Sequence, residues 1–216
     1  MFQKDYWERK SLGKRRHPSH PVVRDYAVPK LDWVFRSLAL DPGARILDVG
    51  AGNGFFSHYL ERFGPTTAVD FSGQMMALNP APRKALMRAE NLAFGDFAFD
   101  LVFCHALLHH VEDLSRVIRE MKRVSRRYVV VMEPNPRNPL MWLFSALVPE
   151  ERKALAFKGN FLGKALEAQN LEVVDSCAFG LLVPNQAPAF LRPLLNLFNF
   201  PQPWGMTQIW VARRKS

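Results

Sequence analysis

Asp48, Gly50, Gly52 and Gly54 stand at alternate positions in the run Ile46-Leu47-Asp48-Val49-Gly50-Ala51-Gly52-Asn53-Gly54-Phe55-Phe56-Ser57. A carboxylate followed by glycines lets a ligand meet a negative charge and an unshielded main chain at one place. Asp70 closes the next apolar run, where a carboxylate can accept hydrogen bonds from both hydroxyls of a ribose. Its alternative role is to cap the helix that follows. His105, His109 and His110 come next, then Glu133. A neutral imidazole has a pKa suited to taking a proton from a hydroxyl, which makes His109 a candidate general base. Glu133 is a candidate to orient or deprotonate a hydroxyl, or else to tie down the proline-rich turn beyond it. Asn135, Arg137 and Asn138 follow in that turn, within reach of the same place.

The glycine spacing decides the class of ligand. A dinucleotide-binding turn needs G-x-G-x-x-G so that a pyrophosphate can rest on a helix N-terminus. Here the third glycine position is Phe55, which disfavours a nicotinamide oxidoreductase. An acid ahead of the loop suits an ammonium-bearing ligand better than a phosphate.

These residues need elements to position them. Apolar patterning predicts strands at 44–49, 66–70, 84–88, 99–104 and 126–133, with helices at 54–63, 72–79 and 113–123 between them. Gly64-Pro65 ends the first of those helices, and Ser72 is the expected N-cap of the second. Strands alternating with helices imply a parallel sheet covered on both faces. Ahead of it, apolar residues from Val22 to Leu40 recur at helical spacing, with Pro29 as a kink or boundary. Asp5 to Lys10 reads as a short helix, and Tyr6, Trp7 and Tyr26 as residues that close the pocket or simply pack. Beyond residue 160 a helix (160–170) and strands at 171–179 and 207–212 are expected.

In these motifs the chain resembles the class I S-adenosylmethionine (SAM) methyltransferases, within the small-molecule group that includes the ubiquinone and menaquinone enzymes. The resemblance runs from about Ile46 to Glu133. It is carried by the glycine loop, by Ala68-Val69-Asp70-Phe71-Ser72, by Arg88-Ala89-Glu90-Asn91-Leu92-Ala93-Phe94, by Phe99 to His105, and by Leu107-Leu108-His109-His110-Val111. It implies an α/β, Rossmann-like fold: a seven-stranded, mostly parallel sheet with an antiparallel last strand. It also implies SAM as cofactor and S-adenosylhomocysteine as product. Asp48 would hold the methionine ammonium, and Gly50, Gly52 and Gly54 would line the same pocket. Asp70 would hold the ribose, with Phe71 beside it, and Ala89 and Glu90 would lie at the adenine. His105 would line the methionine end. Many relatives carry an acid where this chain has Arg88, so adenine is held by backbone near Ala89 or by Glu90 in compensation. The paired histidines recur in this group as structural or pocket-lining positions.

The chain has 216 residues, 48% hydrophobic and 23% charged, the size and balance of one globular domain. Its two cysteines, Cys104 and Cys177, fall in apolar strand patterns and read as core residues, with neither disulfide nor zinc spacing, so no metal is expected. Without a signal segment or a membrane-length apolar run, the cytoplasm is the expected compartment. The net charge of +9 admits nucleic acid, an anionic membrane surface or an acidic substrate. Nucleic acid is not favoured, because the basic residues are not interleaved with aromatics. An RNA methyltransferase of the exocyclic-amine type would carry Asn/Asp-Pro-Pro-Tyr/Phe after the fourth strand, where Cys104-His105-Ala106-Leu107 stands.

Residues 1–40 read as an N-terminal helical cap. Residues 134–160 and 180–204 read as apolar insertions. Met141, Trp142, Leu143 and Phe144 in the first, with Phe190, Leu191, Leu194, Leu195 and Phe198 as a helical stripe in the second, exceed what the sheet needs to cover it. The expectation is a lid over a hydrophobic, lipid-like small-molecule acceptor. Arg137 and Arg192 are placed to hold an anionic head group or to dock the protein at a membrane surface. RNA methylation and a SAM-binding docking protein without turnover are the alternatives.

Overall fold

The computed structural model describes residues 15–185 and 187–215. The short helix expected at Asp5 to Lys10, with Tyr6 and Trp7, lies outside the described residues.

Seven strands form one sheet: β1 (Ile46–Val49), β2 (Thr66–Asp70), β3 (Arg83–Leu86), β4 (Phe99–His105), β5 (Ser125–Pro134), β6 (Leu171–Phe179) and β7 (Thr207–Arg214). Their order is β3-β2-β1-β4-β5-β7-β6. The pairs among β1 to β5 are parallel, and β7 runs antiparallel to both β5 and β6. The expected seven-stranded, Rossmann-like sheet with an antiparallel last strand is the observed one.

The helices are α1 (Pro21–Arg36), α2 (Ser57–Leu60), α3 (Gly73–Leu78), α4 (Leu114–Val124), α5 (Pro139–Leu147), α6 (Phe161–Glu167) and α7 (Arg192–Asn196). Alternation along β4 splits the core. Leu101 and Phe103 join Val23, Ala27 and Leu31 of α1 on one face, while Val102 and Cys104 join Val117, Ile118 and Met121 of α4 on the other. Because β1, β4 and β5 are covered on both faces, their sequences are nearly continuous apolar runs. Cys104 and Cys177 are both free thiols, and Cys104 is fully buried.

Two local expectations change and one holds. The helix expected at 54–63 shrinks to α2, because Gly54 has φ of +87° and cannot sit in a right-handed helix. Ser72 does cap α3, its hydroxyl accepting from Met75 N at 3.3 Å. The stripe expected from Phe190 to Phe198 divides into a 3-10 turn (Ala189–Leu191) and α7, with a proline in the first turn of α7.

Pro29 does not bound α1, which continues through it. Proline has no N–H to give the carbonyl four residues back, here that of Asp25. The side-chain amide of Asn199, in the second insertion, donates to that carbonyl instead. The Asp25 carboxylate in turn accepts from Arg192 and Asn196. Arg192, expected to face an anionic head group, is therefore engaged in fastening the second insertion to α1.

Candidate active site

The strand order reverses direction between β1 and β4, and ligands of open α/β sheets bind in the crevice at the carboxyl ends of such strands. A cavity of about 330 Å³ opens there. Asp48, at the end of β1, is buried, and its Oδ2 accepts from the Ser57 hydroxyl at 2.6 Å. Burial, with the Asp70 charge adding to it, pushes the Asp48 carboxyl up to about 7.

Asp70 ends β2 and receives two backbone N–H groups, Gly52 N at 2.9 Å and Ser72 N at 2.8 Å. Burial raises its pKa, and these hydrogen bonds oppose the rise. Gly52 has φ of +51° and open space where a Cβ would be, so the requirement there is backbone conformation. Gly54 is different: a Cβ would stand 2.6 Å from Asn79 Oδ1. Asn79 binds the loop, its amide donating to Gly52 O at 3.1 Å and to Ser57 Oγ at 3.3 Å.

Among the expected cofactor residues, Asp48, Gly50, Gly52, Asp70, Phe71 and His105 line the cavity. Gly54, Ala89 and Glu90 do not. Gly54 supports the loop from behind. Glu90 sits in a tight turn, 3.6 Å from the Arg88 guanidinium, and its carbonyl accepts from Arg116 at 2.9 Å.

His105 forms the far wall. Its Nε2 lies 2.6 Å from the Tyr26 hydroxyl, which is also 3.2 Å from Thr207 Oγ1. Burial, then the charge of Lys30, lowers the imidazole pKa to about 3, so His105 is neutral. Ala106 follows with φ of +48° and turns the chain along the cavity floor.

His109 and Glu133, the expected catalytic pair, are brought together but off the cavity wall. Both side chains are fully buried. One Glu133 oxygen accepts from Leu107 N at 2.9 Å and Leu108 N at 2.6 Å, and the other faces His109 Nδ1. The ring's Nε2 lies 3.0 Å from Glu151. Burial alone would lower the His109 pKa, but the two carboxylates overcome it and hold it above the usual range. Both ring nitrogens face carboxylates and the ring is off the cavity wall, so His109 is not placed to take a proton from a molecule in the cavity. His110 and Glu151 reach the cavity instead. Asn135 and Asn138 are likewise engaged, donating to Gly205 O and Trp204 O.

Met141 and Phe144 of α5 and Leu182 and Val183 of the second insertion add apolar side chains to the cavity lining. Trp142 and Phe190 point elsewhere; they are 45% and 80% exposed. Arg15 also lines the cavity, and Arg16 ties its edge by donating to Pro184 O and Ala187 O at 2.7 Å each.

Residues 47–131 match the family model described as a methyltransferase domain, which spans the glycine loop through β5. Over those residues the chain is similar to the class I SAM-dependent methyltransferases. A ubiquinone biosynthesis O-methyltransferase of Xanthomonas oryzae is 30% identical over 129 residues, 55% of this chain and 51% of that protein. A demethylmenaquinone methyltransferase of Mycolicibacterium paratuberculosis is 36% identical over 110 residues, 48% of each chain. The chain thus spans about half the length of these curated relatives. Among solved structures, a SAM-dependent methyltransferase of Thermotoga maritima aligns with a TM-score of 0.67 at 17% identity, covering 90% of this chain and 92% of that one. Magnesium protoporphyrin IX methyltransferase of Synechocystis, solved with S-adenosylhomocysteine, aligns at 0.64 and 16% identity over 99% of both chains. At these identities the likeness is one of fold.

Proposed function

We propose that this methyltransferase binds SAM in the cavity at β1 and β4 and transfers its methyl group to a hydrophobic small molecule held against α5 and the second insertion. The observation that carries the reading is the mixed lining of one cavity, which brings Asp48, Gly52 and Asp70 together with Met141, Phe144, Leu182 and Val183. Asp48 pairs with the methionine ammonium, the free lone pairs of Asp70 accept from the ribose, and Phe71 flanks the adenine. His105 borders the sulfonium end.

Methyl transfer is an in-line displacement on a carbon that the sulfonium already activates. Alignment supplies most of what the protein must contribute, about 7–11 kcal/mol where the reacting atoms are well oriented. Glu133 and His109 act as positioning groups, holding the loop after β4 that floors the cavity. The quinone-acting relatives support an apolar acceptor, as does the exposure of Leu140 (64%), Leu147 (69%) and Leu197 (70%) beside the lid segments. With the net charge of +9, that surface suits contact with an anionic membrane that presents such acceptors. No helix of the described residues is long and apolar enough to cross a membrane.

Calorimetric titration tests the cofactor. SAM and S-adenosylhomocysteine are expected to bind and NAD not to, and Asp70→Ala should weaken binding by about 1.5–3 kcal/mol, the value of a hydrogen bond to a charged group. Unchanged affinity removes the ribose assignment. The acceptor is then sought in cell extract as a SAM-dependent product heavier by one CH2. Met141→Ala with Phe144→Ala should raise KM for apolar acceptors while SAM affinity holds.

A further inference from the structure

We propose that His109, His110 and Glu151 form a binding site for a first-row divalent cation, zinc by its donor set, on the wall of the cavity. His109 Nε2 lies 3.0 Å from one Glu151 oxygen, and His110 Nε2 lies 4.0 Å from the other. One ligand atom from each residue falls within 4.8 Å of the others. Bonds of about 2.0–2.2 Å in a tetrahedral site set neighbouring donors roughly 3.3 Å apart. The spacing is therefore close to that of a coordination shell, and His110 needs to shift by about an ångström to complete it.

The surroundings are those of a metal ligand set. A ligating histidine is normally oriented by a carboxylate on its second nitrogen. Glu133 faces His109 Nδ1, and its own orientation is fixed by Leu107 N and Leu108 N. Nε2 of His109 is thereby aimed at Glu151. Two imidazoles and one carboxylate suit zinc or its neighbours, and magnesium or calcium poorly, since those ions favour all-oxygen shells.

Because His110 and Glu151 also line the cavity, an ion held by them would be within reach of a molecule bound there. An oxygen of the acceptor can take its fourth position, and a hydroxyl bound to zinc ionises more readily. The site itself does not depend on methyl transfer. Sequence spacing did not reveal it because Glu151 comes from the insertion, on the 3-10 segment Pro149–Ala156.

The full chain, stripped with a chelator, is titrated with zinc and with cobalt by calorimetry, and cobalt binding is followed by its visible spectrum. The expected result is one equivalent bound, with a cobalt spectrum of nitrogen coordination. His110→Ala and Glu151→Gln should each lower affinity at least tenfold. Glu151→Gln keeps the side-chain shape; if either variant fails to melt cooperatively, Glu151→Asp is titrated in its place, with the same loss expected. Absence of binding in competition with a weak chelator overturns the site. So does binding that the variants leave within twofold, which would place the ion on other histidines. S-adenosylhomocysteine affinity, measured separately, reports on the cofactor reading alone.

Discussion

Asn199→Ala, made with and without Pro29→Ala, measures how the second insertion is fastened to the helix beneath it. In the native chain the Asp25 carbonyl lacks its helical donor because position 29 is proline, and the Asn199 amide replaces it. Removing the amide strands a partly buried carbonyl, which costs about 1–3 kcal/mol. With Pro29→Ala in place, the new N–H of residue 29 reaches the same carbonyl, and Asn199 becomes largely dispensable. The packing lost with the asparagine side chain is common to both backgrounds and cancels in the cycle. The coupling energy should therefore be about 1–2 kcal/mol. Urea unfolding of the four proteins measures it. Additivity within about 0.3 kcal/mol refutes the argument, since that is the behaviour of independent sites.

Lys30 is fully buried, with its ammonium 3.8 Å from the Tyr26 ring centroid and 3.0 Å from Tyr26 O. Burial lowers its pKa from 10.5 to about 7. Between those values the unfolded chain binds more protons, so this group makes stability rise with pH. Lys30→Met should stabilise the neutral protein by up to about 4 kcal/mol, with the gain fading toward pH 10.5, and a gain that does not change with pH contradicts the burial argument. Asp48, with its carboxyl pushed up to about 7, should make SAM affinity climb as pH rises through that value. Asp48→Asn should bind weakly and lack the rising limb; a limb that survives belongs to another group. Glu133→Ala leaves two backbone donors and an imidazole without their carboxylate. It should cost about 3–5 kcal/mol in chemical denaturation, as breaking a buried pair does, and a loss below about 1 kcal/mol would mean that water replaces the carboxylate.

The parts of the fold written locally were legible. Buried parallel strands read as apolar runs, and β2 and β6 fell on their expected bounds. Asp48, the glycine loop and Asp70 were legible for the same reason, since each sits within a few residues of a strand end. Partnerships across the chain were not. Glu133 carries no sequence sign that it faces His109, 24 residues away, rather than a substrate. Lys30 carries no sequence sign of burial, yet its ammonium lies near the rings of Tyr26 and Phe179. Asn79, the last residue of the helix expected at 72–79, carries no sequence sign that it fills the space Gly54 leaves. The apolar insertions were visible in composition, but which of their side chains turn inward was not. That choice depends on the docking of Arg192, Asn196 and Asn199 onto Asp25.

The same docking relates the insertions to the cavity. Asp25 holds the second insertion, and the next residue of α1, Tyr26, reaches His105 and Thr207 at the cavity wall. From the other side Glu151 reaches from the first insertion to His109, whose second nitrogen is held by Glu133 at the end of β5. Each insertion is thus anchored by a carboxylate contact to an element that also shapes the cavity. A ligand that alters the loop after β4 must work against buried, hydrogen-bonded partners on both sides, where rearrangement is costly. Apolar side chains alone could slide over one another as acceptors change. On the proposed reading the polar anchors would fix where the insertions stand relative to the methyl group, and alignment at that distance is what such chemistry asks of a protein.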